Sequence, residues 1–374
     1  MDRNKKSTGW YINLLLVVIS LLTGLLVAEA ATRVWKGEAV FKWVDFSQSI
    51  VGCASAFDAY AGWKPVPSRQ GVNREQRPVT ILPNGLRSNG SLSPESDIRI
   101  LATGDSYTFG DQVGDHETWP AALERQLAIP VLNGGVCGYG VDQTVLRSQE
   151  LTPRVRPDIL IVSLIPTDIW RAQSSELYGK RKPFFSLKNG IPVLQNVPLG
   201  SPETPPGIAG YFSRGMEYLN DYSLFMRSMP NVRNRLQMFR NKAYVEVHNE
   251  GLEVSCGLLG QVRDTADRFG AELYLLMLYK YRDIMNRITL NNGDSPEPGD
   301  RNMEFLLKAL ELMDCSRSAG ITVIDIFPAL EQTYREHGSE AVSALYSDHM
   351  NAAGNAFVAE YIARHIGDRV QRNR

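Results

Sequence analysis

The chain has no excess of charge of either sign. Its 40 Lys and Arg against 41 Asp and Glu leave a formal net charge of -1, so there is no field for gathering phosphates, and nucleic acid is set aside as a partner. The Arg-containing tail from Arg369 to Arg374 reads as a solvated end. Histidine is scarce, at 5 in 374 residues, and the 4 cysteines form no Cys-x-x-Cys pattern, so no metal-ligand spacing is present and no metal or cofactor is expected. Internal repeats and low-complexity tracts are also lacking, which excludes a repeat architecture. With 43% hydrophobic and 22% charged residues, the composition is that of a globular protein of one large or two ordinary domains.

One long hydrophobic run is present, at the amino-terminal end. Arg3, Lys5 and Lys6 precede an uncharged stretch from Ser7 to Ala28 that is dense in Leu, Val and Ile. It is long enough to span a bilayer as a helix, and the basic flank predicts a cytoplasmic amino terminus with the rest exported. Trp10 and Tyr11 on one side and Trp35 on the other suit the two interfaces. The competing reading is a cleaved signal peptide, because Ala28-Glu29-Ala30 fits a small-x-small cleavage site. Either way the main domain is expected outside the cytoplasm, membrane-anchored in one case and secreted in the other.

Cys53, Cys137, Cys256 and Cys315 then sit in an oxidising compartment, where three complete pairings exist. Cys256 begins one expected helix and Cys315 closes another, ends that lie at opposite edges of a parallel sheet and argue against that pair. Cys137 reads as packing, and four unpaired cysteines remain an open alternative.

Three segments are expected: residues 1–31 as anchor or signal, 32–91 as a stalk and irregular wrap, and 92–374 as the main domain. The wrap is rich in Gly, Pro, Asn and Ser, with room for a short hairpin, and Trp63 serves in it as a packing anchor. From Ile98 the pattern becomes strand-helix repetition, the signature of a parallel sheet with covering helices. Strands are expected over Ile98–Thr103, Pro130–Asn133, Asp158–Ile165, Glu272–Tyr279 and Thr322–Ile326. Helices are expected over Glu117–Leu127, Val141–Leu151, Met303–Ser318, near Ala329–His337, and from the Ala352 region to Ile366. The alternation breaks over about 169–269, too long for a crossover, and this insertion reads as a lid-like element. Within it a hairpin turns at Lys188-Asn189-Gly190, and helical patterns cover Gly215–Phe239 and Gly251–Arg268.

The fold class is therefore α/β, a doubly wound, flavodoxin-like five-stranded parallel sheet with strand order 2-1-3-4-5. The apolar run Ile98–Thr103 stops at Gly104-Asp105-Ser106, which puts the Ser106 hydroxyl at the carboxyl edge of the sheet, where ligands of such folds bind. Strands two and three flank strand one, so the glycines around Gly135 and the Thr167-Asp168 pair become neighbours of Ser106. Acyl transfer needs a nucleophile, a base in reach and donors for the oxyanion. Ser106 with His349, and the donors Ser106 N–H, Gly135 N–H and the Thr167 side chain, fill those places. His116, His248, His337 and His365 fall on helices or polar loops without such placement. Asp105 and Asp168 read as structural, and Asp325 as stabilising the sheet edge.

Three ordered blocks carry a resemblance. Gly104-Asp105-Ser106-Tyr107-Thr108-Phe109-Gly110, then Val131-Leu132-Asn133-Gly134-Gly135-Val136-Cys137-Gly138-Tyr139-Gly140, then Asp348-His349-Met350-Asn351-Ala352-Ala353-Gly354 resemble the blocks of the SGNH/GDSL hydrolase superfamily over about residues 57 to 366. The resemblance implies an SGNH hydrolase fold, Ser106 as nucleophile, Gly135 as oxyanion glycine and His349 as base. Two positions depart from it. Thr167 stands where the family usually has Asn, and Tyr346 stands where it places the acid that orients the histidine. Asp348, next to His349, is the acid assigned here, with a Ser-His dyad held by a backbone carbonyl as the alternative. The implied function is a serine esterase or O-acyltransferase acting on O-acyl, plausibly O-acetyl, esters of a polysaccharide. A transferase would need a membrane partner to bring the acyl donor. The reading from a different class is a non-catalytic binding or assembly module for surface polysaccharide.

Overall fold

The structure is a computed structural model that describes residues 4–37, 40, 52–177, 180–200, 250–293 and 300–372. The helix expected over Gly215–Phe239, and His248, lie outside the described residues. The chain divides into two compact units, Met1–Phe46 with Glu203–Arg240, and Ser47–Pro202 with Asn241–Arg374.

In the first unit, α1 (Asn4–Trp35) is one continuous helix. Its segment Trp10–Trp35 has mean hydropathy 2.4 and is long and apolar enough to cross a bilayer. The helix runs unbroken through Ala28-Glu29-Ala30, where Glu29 and Arg33, one turn apart, form an ion pair at 2.8 Å.

The second unit begins with two antiparallel hairpins, where the sequence suggests an irregular wrap. These are β1 (Ser55–Asp58) with β2 (Gly62–Pro65), and β3 (Gln70–Val72) with β4 (Pro78–Thr80). Each turn is closed by a short side chain on the backbone. Asp58 Oδ1 accepts from the N–H groups of Tyr60 and Ala61, and Asn73 Oδ1 from those of Glu75 and Arg77. Trp63 is 4% exposed, its Nε1 donating to the Cys137 carbonyl at 2.9 Å, so it is the anchor expected. The wrap is also stitched to the sheet, as the Arg87 N–H donates to the Asn133 carbonyl at 2.9 Å.

The sheet follows: β5 (Ile100–Thr103), the one-turn α2 (Ser106–Phe109), α3 (Trp119–Leu127), β6 (Val131–Asn133), α4 (Val141–Val155), β7 (Ile159–Leu164) and α5 (Pro166–Arg171). The insertion then contributes β8 (Glu176–Leu177), β9 (Lys180–Arg181), β10 (Phe184–Lys188) and β11 (Ile191–Gln195). The β10–β11 turn has Asn189 and Gly190 at φ 52° and 77°, the double left-handed turn that Asn-Gly favours. The chain continues with α6 (Gly251–Phe269), β12 (Glu272–Met277), α7 (Tyr281–Asn291), α8 (Arg301–Ser318), β13 (Thr322–Asp325), α9 (Phe327–Ser343) and α10 (Ala352–Arg372).

The sheet order is β13-β12-β7-β5-β6, all parallel, which is the order expected. All six residues of β7 are buried, as a Val, Ile and Leu strand covered on both faces must be. Helix α7 lies where the sequence reading had no helix. Its apolar face is Tyr281, Ile284, Met285 and Ile288, a helical spacing in an 11-residue segment of which only Ile284 and Ile288 are buried among the apolar residues.

Both expectations about cysteine are corrected. Cys53 is bridged to Cys137 and Cys256 to Cys315, with Cα separations of 6.0 and 6.1 Å. The second bridge is available because α6 and α8 pack side by side with their starts far out of step. Cys256 lies in the second turn of α6 and Cys315 in the last turn of α8, so helix ends do not mark sheet edges here.

One buried ion pair fixes the insertion to the sheet. Lys182 is wholly buried, and its Nζ donates to Asp142 Oδ2 and to the carbonyls of Arg171, Ser174 and Pro183. Burial holds Lys182 below and Asp142 above their usual ranges, each partly offset by the other. Lys182→Met would strand the Asp142 carboxylate and three carbonyls, and is expected to cost about 3–5 kcal/mol in urea unfolding. A loss below about 1 kcal/mol would show that the pair is not what holds this region.

Candidate active site

Gly104 and Asp105 set Ser106, the candidate nucleophile. A Cβ at Gly104 would lie 2.7 Å from the Ser163 carbonyl and 2.3 Å from Thr108 Oγ1, so only glycine lets the loop lie against β7. Asp105 caps α2 by accepting the Tyr107 N–H on Oδ1 at 2.8 Å, which puts Ser106 in the first turn with its N–H outside the helical ladder. Ser106 Oγ lies 2.9 Å from His349 Nε2. For Nε2 to accept the serine proton, the ring hydrogen must sit on Nδ1. His349 Nδ1 is buried and has no hydrogen-bond partner among the described residues.

Desolvation holds the imidazole below its ordinary value of 6.5, outweighing the carboxylates of Asp111, Asp348 and Asp105 nearby. It is therefore neutral and able to take a proton at neutral pH. The ring also packs on Tyr107, with centroids 5.0 Å apart.

The structure places the assigned acid elsewhere. Asp348 is half exposed, and its Oδ2 accepts from Arg74 Nη2 at 3.1 Å rather than from His349 Nδ1. Neighbouring side chains on an extended loop diverge, and here one faces the hairpin and the other Ser106. Tyr346, at the family's acid position, packs on Tyr281 with centroids 6.5 Å apart, and burial pushes its phenol up.

Gln112, which the sequence reading missed, holds the loop of His349, the candidate base. Its Oε1 accepts from Ser347 Oγ at 2.6 Å, from the His349 N–H at 3.0 Å and from the Asp348 N–H at 3.3 Å. Three donors converging on one atom fix that atom as the amide oxygen. Gln112 stands six residues after the nucleophile, so one segment carries Ser106 and the acceptor that seats its base. A lone Gln in a loop gives no signal in a single sequence.

On the oxyanion side, Gly135 has its N–H on Asn133 Oδ1 at 3.1 Å, so this donor is already engaged. Its glycine identity serves close approach, because a Cβ there would lie 2.4 Å from the Phe109 nitrogen. Thr167, second in α5, accepts on Oγ1 from Lys280 Nζ at 2.7 Å. The neighbouring Asp168 shares Arg171 Nη1 with Asp105, at 2.7 and 3.1 Å, and the same nitrogen reaches the Tyr139 carbonyl at 3.0 Å. Burial and then the Asp105 carboxylate push the Asp168 carboxyl well above its usual range, with Arg171 pulling it back. Arg171, three residues after Asp168 on one helix, and Lys280, at the carboxyl end of a strand, were legible by position but were not singled out.

Two outcomes are expected. Because the base must be neutral and its pKa is lowered, kcat/KM should rise with pH along a limb centred below 6.5 and be flat through neutrality, measured on a neutral ester. A limb centred above 7 would contradict this. Gln112→Ala should lower kcat by about tenfold or more with little change in KM, since misplacing the base costs rate and not ground-state binding.

No protein-family model and no curated protein matches the chain. It is similar to several solved structures. A protein assigned to the G-D-S-L lipolytic family from Desulfitobacterium hafniense is 13% identical over 72% of this chain and 99% of that one, with TM-score 0.37. A catalytic mutant of Axe2, an acetylxylan esterase from Geobacillus stearothermophilus, is 13% identical over 74% and 97%, with TM-score 0.40. The psychrotrophic esterase EstA from Pseudoalteromonas sp. is 11% identical over 74% and 100%, with TM-score 0.38. The second unit has the strand order expected for a doubly wound sheet, and Ser106 and His349 meet at its carboxyl edge.

Proposed function

We propose that this chain is a serine esterase or O-acyltransferase of SGNH type, working outside the cytoplasm on O-acyl esters, with O-acetyl groups of a polysaccharide as the substrate class. The observation that carries the chemistry is the 2.9 Å contact between Ser106 Oγ and a half-buried imidazole whose pKa desolvation lowers. Ser106 Oγ attacks the ester carbonyl carbon while its proton passes to His349 Nε2, and the carbonyl π pair moves onto the oxygen. The Ser106 N–H and the Thr167 hydroxyl are the donors we assign to that oxyanion, while Gly135 shapes the loop after β6. Collapse breaks the bond to the alcohol, which takes the proton from His349. Water then resolves the acyl-enzyme in a hydrolase, and a sugar hydroxyl in a transferase.

With no acid on Nδ1 among the described residues, we read the pair as a Ser-His dyad. Asp348 contributes charge near the ring rather than orientation, and Gln112 supplies the seating. The apolar helix with its basic flank supports a membrane anchor, with cleavage after Ala30 as the alternative, and two disulfides support an oxidising compartment. A transferase would draw its acyl group from a membrane partner, because one spanning helix offers no route for a cytoplasmic donor.

The test is hydrolysis of p-nitrophenyl acetate and of acetylated xylan by the purified chain and its Ser106→Ala variant. The variant is expected to lose about a thousandfold or more in rate. Equal rates would favour the non-catalytic binding module, the reading that the unpartnered His349 Nδ1 motivates.

A further inference from the structure

Strands β7 and β12 are parallel neighbours with Leu164 paired to Met277, so Thr167 and Lys280 each lie three residues beyond the same register position. They meet there: Lys280 Nζ donates to Thr167 Oγ1 at 2.7 Å. An ammonium only donates, so the hydroxyl is the acceptor in this bond and its own hydrogen points elsewhere. The carboxylates of Asp283 and Asp168 feel the charge of Lys280 but take their hydrogen bonds from groups other than its ammonium. Asp283 Oδ2 takes the Lys280 backbone N–H at 3.1 Å, and Asp168 holds Arg171 and the Ile165 N–H.

The same edge ties Thr167 to the nucleophile. Ser106 follows Asp105 and Thr167 precedes Asp168, and one guanidinium nitrogen of Arg171 binds both carboxylates. The first turns of α2 and α5 are thus fastened side by side at the carboxyl ends of adjacent strands, and the hydroxyl that Lys280 orients belongs to the turn beside Ser106.

We propose that Lys280 is a positioning residue for acyl transfer at Ser106, holding the Thr167 hydroxyl as a donor to the oxyanion and strengthening it by charge. This deepens the esterase reading and rests on it. Thr is shorter than an amide side chain and its hydroxyl rotates, so alone it would spend only part of its time aimed at the oxyanion. Occupying one lone pair with an ammonium removes that freedom and makes the O–H more acidic. No proton passes through Lys280. The serine proton goes to His349 and then to the leaving alcohol, while the oxyanion charge is met by the Thr167 O–H.

The experiment uses the full chain in detergent, with p-nitrophenyl acetate turnover and the rate of Ser106 labelling by a fluorophosphonate as readouts. Lys280→Met and Thr167→Val are each expected to lower kcat by about ten- to a hundredfold, with KM within about twofold, and to slow labelling in parallel. The double variant should be no slower than the worse single variant, and Lys280→Arg should recover most of the rate. An unchanged kcat in Lys280→Met, or losses that multiply in the double variant, would overturn the proposal. So would equal losses in Lys280→Met and Lys280→Arg that follow a lowered Tm. Ser106→Ala separates the two levels: if it matches the wild type, the esterase reading itself fails, whereas its inactivity beside a fully active Lys280→Met leaves that reading standing and rejects this one.

Discussion

A single nitrogen, Nη1 of Arg171, binds the Asp105 and Asp168 carboxylates and the Tyr139 carbonyl, and the assembly of the site depends on it. Asp105 and Tyr139 lie in the loops after β5 and β6, and Asp168 in α5 after β7, the three strands at the centre of the proposed chemistry. Two carboxylates side by side in a dry interior repel one another, and a guanidinium between them turns that repulsion into a clamp. The Arg171 carbonyl in turn accepts from Lys182, so the clamp is anchored to the insertion as well. Loops that would otherwise move independently are held as one rigid rim.

On that rim the base is seated in an unusual way. A triad aligns its histidine through the ring, by an acid on Nδ1. Here alignment comes through the backbone, with Gln112 Oε1 gathering the amides of residues 348 and 349, and through the face of the ring, against Tyr107. The electrostatic result differs too. With no carboxylate on Nδ1 among the described residues the imidazolium is less favoured, so desolvation keeps the ring neutral, at the cost of weaker stabilisation once it carries a proton.

The strands of the parallel sheet, the turn that carries Ser106 and the Asn-Gly hairpin were legible in the sequence because each rests on a local signal, whereas the strand order was taken from the usual doubly wound arrangement and His349 from the resemblance of its block. Those signals are an apolar run, a glycine at a sharp turn, or a left-handed dipeptide. What escaped was set by long-range packing. The bridge between Cys256 and Cys315 depends on the offset of two helices, which no local pattern encodes. Asp348 looked like the orienting acid because it is adjacent in sequence, yet Arg74, on a hairpin far away along the chain, takes its carboxylate. The commitment of the Gly135 N–H to Asn133 is a local turn, but the oxyanion role assigned by block position hid it.

The wide spacing of the reactive pair has a consequence for how the protein comes to life. Ser106 and His349 are 243 residues apart, and their contact closes only when the last loop folds back onto the first strand. During synthesis, and during any threading of the chain through a pore, the nucleophile emerges long before its base and rests as an ordinary alcohol. The contact between Ser106 and His349 is thus a product of the completed fold and of no shorter stretch of the chain.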